Sequence, residues 1–117
     1  MDIIKTNVAE SNKALIYKLT RASGEMVQNV PDGAKVDMQA YCLYNDEKQA
    51  RDGSTKTNTV LSFIDQQGRK FSTISSTFIR EFLYIDDLMG GEPYKLVIIH
   101  GSTKGGKPFV TCGLNCD

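Results

Sequence analysis

The feature that most constrains the fold of this chain is one amphipathic helical segment, residues 75–89, which lies between two blocks with strand patterns. Its apolar side chains recur at the spacing of one helix face, at Phe78, Phe82, Ile85 and Met89. Ser75 or Ser76 can cap the N-terminus, and Gly90-Gly91 can end the helix in the left-handed conformation. Strands on both sides of this helix predict a small β-barrel that the helix plugs.

The longest predicted strand is residues 34–44, where apolar and polar side chains alternate and predict a half-buried strand. One face would carry Val36, Met38, Ala40 and Cys42. The other face would carry Lys35, Asp37, Gln39 and Tyr41, which makes Tyr41 an exposed ring. The remaining predicted strands are residues 59–64, 69–74, 94–99 and 109–114. A hairpin turn at Asp65-Gln66-Gln67-Gly68 joins the first two of these.

Three strands, a helix and two strands match the order of an all-β domain with one main helix, the five-stranded OB-fold barrel with its helix between strands three and four. The charged residues 45–57 contain no large apolar side chain and predict a long mobile loop between the first two strands. Residues 101–107 predict a second flexible loop between the last two strands. These two positions carry the ligand-binding loops of OB folds.

The N-terminal region has a different pattern. Residues 1–11 are polar and predict an arm, and the chain from Asn12 then places Leu15, Ile16, Leu19 and Ala22 on one helical face. The same letters are also compatible with a strand. We therefore divide the chain into an arm and short helix packing on the barrel, residues 1–33, and an OB-fold domain, residues 34–117.

Composition and residue inventory exclude several classes of function. Fourteen basic and fourteen acidic residues give zero formal charge, so a polyanion must be met by a local patch. Three irregularly spaced cysteines, and a start without the apolar run of a signal peptide, predict a reduced, cytoplasmic protein, in the host cytoplasm if a phage encodes it. With His100 as the only histidine and no acid–base cluster, we predict no metal site, no cofactor and no enzymatic activity.

One acidic pair and one glycine-rich segment resemble functional sites only superficially. Asp86-Asp87 are neighbours on the predicted helix and do not face each other, so they predict a solvated face. Residues 101–107 have the Gly and Lys spacing of a P-loop, but Pro108 stands where Ser or Thr should bind magnesium and a strand follows. Lys104 and Lys107 can still contact a nucleic-acid backbone from this flexible loop.

The aromatic residues carry more information. Phe63 and Phe71 should share a face across the hairpin, where each is either a core ring or a platform on which unstacked bases lie. Core packing is favoured for Phe63, whereas Phe71 follows Arg69-Lys70 and is the better platform. Tyr41 is a second predicted platform. Phe109, next to Lys107-Pro108, is a third.

Three motifs then resemble a known family. They are the opening at residues 13–20, the Gly-Arg-Lys-Phe strand leading into Ser-Ser-Thr-Phe at residues 68–82, and residues 98–112 around Gly-Ser-Thr-Lys. Together they resemble small single-stranded DNA-binding proteins of phages and mobile elements of Gram-positive bacteria. The resemblance implies an OB fold and sequence-independent binding of single-stranded DNA in replication, and it points to Arg69, Phe71, Lys104, Lys107 and Phe109. Ser102-Thr103 reverses the usual order, and Pro108 removes a backbone donor.

The leading hypothesis is a non-enzymatic binder of single-stranded DNA, with single-stranded RNA as a further possible ligand. Its predicted contact residues are Tyr41, Arg69, Lys70, Phe71, Lys104, Lys107 and Phe109. The alternative is an OB-like protein-interaction module that docks on a phage or host replication protein, which zero net charge and exposed aromatic rings suit equally well. A hydrolase or nuclease is disfavoured because no acid–base or metal cluster is present.

Overall fold

The computed structural model describes residues 2–21 and 24–116, which form a mostly β structure with two helices. The elements are β1 (Asp2–Thr6), α1 (Lys13–Thr20), β2 (Glu25–Met26), a 3₁₀ turn (Val27–Asn29), β3 (Lys35–Gln49), β4 (Thr55–Asp65), β5 (Lys70–Thr73), α2 (Ser76–Met89), β6 (Lys95–Ser102) and β7 (Pro108–Leu114).

One strongly curled sheet holds these strands in the order β2-β5-β4-β3-β6-β7. The β3 strand is its centre, and β4 pairs along one edge of it. On the other edge, β6 pairs with the first residues of β3 and β1 pairs further along the strand. The curl encloses a main core that α2 fills from one side with Phe78, Phe82 and Ile85. No ladder joins β5 to β7 in the described residues, so the architecture is a barrel-like all-β fold left open at that gap.

The locally encoded elements form where the sequence predicts them. In α2, the Ser75 side chain accepts the capping hydrogen bond from Phe78 N–H, and Gly90 ends the helix in the left-handed region with φ of 57°. The Asp65–Gly68 turn closes the β4–β5 hairpin, and Phe63 lies directly opposite Phe71. Both features depend on neighbouring residues alone, which is why sequence pattern locates them.

The predicted N-terminal arm is wrong for residues 2–6, which form β1 and pair with β3. These residues gain a backbone ladder because the edge of β3 beyond β6 would otherwise be unpaired. The predicted short helix is confirmed as α1, capped by Asn12, whose side chain accepts from Leu15 N–H. Ala22, expected on the same helical face, lies outside the described residues.

A β-bulge in β3 overturns the predicted alternation. Met38 pairs with Asp65 and Ala40 with Ile64, so Gln39 is an extra residue that reverses the phase of the strand. Before the bulge Met38 faces the main core, whereas after it Tyr41 does. The prediction that Tyr41 is exposed is therefore wrong: only 1% of its surface is accessible.

The opposite face of β3 is also buried, because α1 lies across it. Beyond the bulge, β3 contributes Ala40, Cys42 and Tyr44 to a second, smaller core, in which α1 contributes Leu15 and Leu19 and β4 contributes Ile64 and Val60. The prediction of a half-buried strand is therefore wrong for this part of β3, which is covered on both faces. A strand shared by two cores reads as a continuous apolar run rather than a clean alternation.

The predicted mobile loop at residues 45–57 is mostly paired strand. The β3–β4 ladder continues to Gln49 opposite Thr55, and a tight turn at residues 50–54 closes it. Asp52 accepts hydrogen bonds from Ser54, and Gly53 supplies the positive φ of 84° that the turn requires. Residues 45–59 thus form a projecting two-stranded ribbon, called the ribbon below. Threonine-rich polar strands can pair without contributing to a core, so their composition resembles that of a loop.

Candidate nucleic-acid interface

Two of the predicted stacking platforms are core residues. Phe71 is 1% exposed and stacks on Phe63 with 5.2 Å between ring centroids. Tyr41 meets the Phe82 ring edge-on at 5.0 Å. A base cannot reach either ring, so the prediction that they are exposed platforms is wrong. Inward-facing positions of the curled sheet and the bulge in β3 direct both rings into the main core.

The basic residues beside Phe71 are both held by the protein itself. The Arg69 guanidinium lies 5.0 Å over the Phe71 ring, and its Nη2 is 2.7 Å from a Glu25 carboxylate oxygen. Lys70 Nζ donates to the backbone carbonyl of Arg21, which ties β5 to the end of α1. Burial lowers the pKa of Lys70, and the nearby charge of Lys18 adds to this shift. Lys70 therefore lies in a group of cations on the α1 side of the sheet.

The predicted residues at the β6–β7 turn are accessible. Phe109 is 39% exposed and lies over Gly101, where an added Cβ would come within 2.6 Å of the ring. Lys104 and Lys107 are exposed on the turn and make no ion pair within residues 2–21 and 24–116. Phe109 also borders an open groove of about 480 Å³ with Gln28 and Ser75. This corner offers one aromatic surface next to two unpaired cations.

His100, which borders the same groove, has a structural role. Its Nε2–H donates to the Val30 carbonyl at 2.5 Å, because a carbonyl oxygen can only accept. Its backbone N–H donates to the Asp32 carboxylate at 2.9 Å. These bonds fasten β6 to the segment that precedes β3, which fixes the floor of the groove beside Phe109.

Sequence reasoning missed an exposed aromatic–basic cluster, which lies on α1. Tyr17 is 61% exposed, and the Arg21 guanidinium lies 4.7 Å above its ring. Because Leu15 and Leu19 face the second core, the opposite side of α1 presents Lys13, Tyr17 and Arg21 at four-residue spacing. We call these three residues the α1 stripe. An aromatic residue flanked by basic residues four positions away on each side is the sequence signal that identifies it.

The α1 side of the sheet carries further cations on the ribbon. Tyr44 and Val60 pair across β3 and β4, and both face α1. Because side chains alternate between the two faces of a sheet, every second pair along this ladder also faces α1. Lys48 and Lys56 are such a pair, directly opposite each other on this face. Like charges in that arrangement repel and destabilise a sheet. An anion bound between them would relieve the repulsion.

Asp86 is a second residue that sequence reasoning misjudged. It accepts hydrogen bonds from Tyr41 Oη at 2.7 Å and Tyr94 Oη at 3.1 Å, and Lys5 Nζ lies 3.8 Å away. The prediction of a solvated carboxylate is wrong for Asp86, although Asp87 is exposed. The pKa values of both Tyr41 and Tyr94 are raised, mainly by burial and to a smaller extent by the neighbouring Asp86. This cluster joins α2 to β3 and β1, and it is structural.

The remaining titratable groups among the described residues include two buried thiols and no metal-binding cluster. No three His, Cys, Asp or Glu side chains among residues 2–21 and 24–116 are grouped to hold a metal ion. Burial raises the pKa of the Cys112 thiol to about 12 and raises that of Cys42. No helix in those ranges is both long and apolar enough to cross a membrane.

No protein-family model, curated protein or solved structure matches this chain. The assignment of function therefore depends on the geometry of the surface and on the sequence motifs.

Proposed function

We propose that the protein binds single-stranded DNA without sequence preference, and that the α1 stripe is the centre of its contact surface. The observation that carries the proposal is the Tyr17 ring, 61% exposed and flanked by cations. Exposed aromatic rings beside Arg and Lys hold unpaired bases by stacking while the cations contact the backbone. Duplex DNA keeps its bases stacked inside and cannot use such a ring.

The charge distribution supports this surface over the rest of the molecule. Lys13, Lys18 and Arg21 lie on or next to α1 with no acidic residue between positions 13 and 21. Lys70 is close enough to Lys18 for their charges to interact, and the Lys48–Lys56 pair lies on the same side of the sheet. Although Asp46 also lies on this side of the ribbon, opposite Asn58, these cations give a chain with zero net charge a local positive patch of the kind that a polyanion requires.

A second contact region at the β6–β7 turn extends the proposed path. The strand β2 pairs with β5 beside Lys70, and the 3₁₀ turn that follows reaches Gln28, which borders the groove under Phe109. The strand β2 and the 3₁₀ turn therefore lead from Lys70 towards Phe109. Lys104 and Lys107 would contact phosphates there, as the sequence motifs indicate.

The finer fold assignment belongs to the same proposal. The strands β3, β4 and β5, the helix α2 and then β6 and β7 follow the OB-fold order, and β6 returns to pair with β3. OB folds bind oligonucleotides on the face of their second and third strands and on two loops. Here α1 lies over β4 on that face, so we propose that the helix supplies the stacking ring there. A role in phage or mobile-element replication follows from the motif resemblance.

The test is fluorescence anisotropy of labelled oligothymidine, with the matching duplex as control, at low and physiological salt. We expect tight binding to the single strand and weak binding to the duplex. A matched oligouridine measures whether RNA binds as well. Equal affinity for the single strand and the duplex would indicate backbone charge without stacking and would contradict the proposal. An absence of binding to either would favour the protein-interaction alternative.

The salt dependence of the same measurement separates stacking from charge. Stacking contributes about 1–3 kcal/mol per base and does not depend on released counterions. We therefore expect affinity to fall only moderately between low and physiological salt. A decrease of roughly a thousandfold or more would require many phosphate contacts, and the α1 stripe would then act by its charge alone.

A further inference from the structure

Among the described residues, a stretch of β4 has one edge without a strand partner. The β5 strand pairs with β4 only at Leu61–Ile64 and turns away at Ile74 to begin α2. On its other side β4 remains paired with β3 down to Thr55 opposite Gln49. Residues 55–59 therefore offer an unpaired row of backbone N–H and C=O groups in the described structure. Such an edge is a template for another extended chain.

An apolar groove lies directly beside this edge. It has a volume of about 460 Å³ and runs between Thr57–Thr59 of β4 and the first turns of α2. Its apolar wall is formed by Ile74, which is 58% exposed, with Ile79 and Leu83. A chain that paired with the β4 edge would direct alternate side chains into this groove.

The groove also has a definite charge preference. Arg80 is the one charged residue among its described lining residues, and it makes no ion pair in the part of the chain that the structure describes. An incoming chain with carboxylates would be attracted here, whereas a second copy of this edge would bring like charges together.

We propose that the β4 edge at residues 55–59 and the adjoining groove bind an extended acidic segment of a partner protein by strand addition. The partner's backbone would complete the ladder, a bulky apolar side chain would occupy the groove beside Ile74, and a carboxylate would pair with Arg80. Backbone pairing then supplies affinity, and the groove and Arg80 supply selectivity. This site lies beside α2 rather than on the α1 face, so it is independent of the proposed DNA contacts.

The test uses two libraries of fluorescein-labelled peptides of roughly ten residues, the upper end of strand lengths in globular proteins. One library alternates Asp or Glu with Val, Leu or Phe, and the other replaces the acids with Lys or Arg. We expect the acidic library to bind about tenfold more tightly or better. The amide signals of residues 55–59 should shift and gain protection from exchange when it binds. Equal binding of both libraries, no binding, or shifts confined to other strands would overturn the proposal.

Two variants and one matched control sharpen the result. Arg80→Glu should abolish the preference for acidic peptides, and Ile74→Ser should weaken binding of the acidic library. Lys104→Glu makes the same change of charge on the β6–β7 turn and should leave peptide binding unchanged. Oligothymidine binding should be unaffected by Arg80→Glu, which keeps the two proposals separable. Concentration-dependent self-association that Ile74→Ser removes would identify a second copy as the occupant and overturn the proposal.

Discussion

Two arginine–aromatic pairs in this molecule have nearly the same geometry and different environments. Arg69 lies 5.0 Å over Phe71, and Arg21 lies 4.7 Å over Tyr17. Phe71 is 1% exposed and stacked on Phe63, whereas Tyr17 is 61% exposed. Arg69 is paired with Glu25, whereas Arg21 has no ion pair among the described residues. The first pair closes the side of a core, and the second is available to a ligand.

The difference shows that an aromatic residue next to a cation is not by itself a binding motif. The contact stabilises the protein when the ring faces inward, and it can serve recognition only when one ring face stays open. Burial and competing partners therefore decide the role of each pair. The following predictions test that distinction, from the largest expected effect to the smallest.

Phe71→Ala should be the most damaging single change. It removes a ring that packs against Phe63 in the main core, and such truncations cost about 3–5 kcal/mol of unfolding free energy. We expect the melting temperature to fall by roughly 10–20 °C. Thermal and urea unfolding followed by circular dichroism measure the effect. An unchanged melting temperature would show that the ring is not in the core.

Tyr17→Ala should have the opposite profile. Because the ring is exposed, unfolding free energy should change by no more than about 0.5 kcal/mol. Affinity for oligothymidine should fall by about 1–3 kcal/mol, which is roughly 5- to 150-fold. Tyr17→Phe keeps the ring and should retain most of the affinity. If both variants bind as the parent does, the α1 stripe is not the stacking surface.

The burial of Tyr41 and Tyr94 should also be visible in the dependence of unfolding free energy on pH. Tyrosine in the unfolded chain titrates near pH 10, and the pKa values of Tyr41 and Tyr94 are raised in the fold by burial and by Asp86. Their contribution to stability is therefore complete below pH 10 and is lost as the pH rises above 10. Each group adds about 1.4 kcal/mol per pH unit to that decline.

The matched measurement compares the parent with Tyr41→Phe in urea at a series of pH values. The variant lacks one titrating hydroxyl, so its stability should decline less steeply above pH 10. Burial also raises the pKa values of Cys42 and Cys112, which shift the curve of both proteins in the same direction. Identical slopes for the parent and Tyr41→Phe would contradict the burial of Tyr41.

Lys56→Glu should produce the smallest effect. It replaces the repulsion with Lys48 by attraction and should stabilise the ribbon by about 0.2–1 kcal/mol. It also removes a cation from the α1 side, so oligothymidine affinity should decrease slightly and its salt dependence should become shallower. Lys95→Glu makes the same change of net charge on β6, outside the ribbon, and is the control for net charge. A rise in DNA affinity would exclude the ribbon from the interface.

Sequence reasoning succeeded where neighbouring residues determine the structure. The Ser75 cap, the Gly90 terminus and the Asp65–Gly68 turn each depend on a few adjacent positions, and they are located correctly. The five predicted strands correspond to β3–β7. These elements are sufficient to predict a curled sheet with α2 against its core.

The misplaced residues depend on contacts that local pattern does not contain. One inserted residue, Gln39, reverses the direction of Tyr41, and no feature of the alternation marks it. Asp86 receives its partners from β3 and from Tyr94, so its neighbours along α2 do not reveal them. The α1 stripe could have been recognised from spacing alone. The three residues of the stripe are separated in sequence, whereas Arg69, Lys70 and Phe71 are adjacent, so the adjacent motif predicted the platform at a ring that is in the core.

The central position of β3 has a kinetic consequence. Its partners are β1 at the start of the chain, β4 next along it, and β6 beyond α2. Contacts between such distant segments slow folding because a large loop must close before they form, and topologies of this kind fold in roughly milliseconds to seconds. During synthesis, the first residues of β3 must wait for β6 to leave the ribosome. We expect the β3–β4–β5 meander to form before β6 pairs with the first residues of β3.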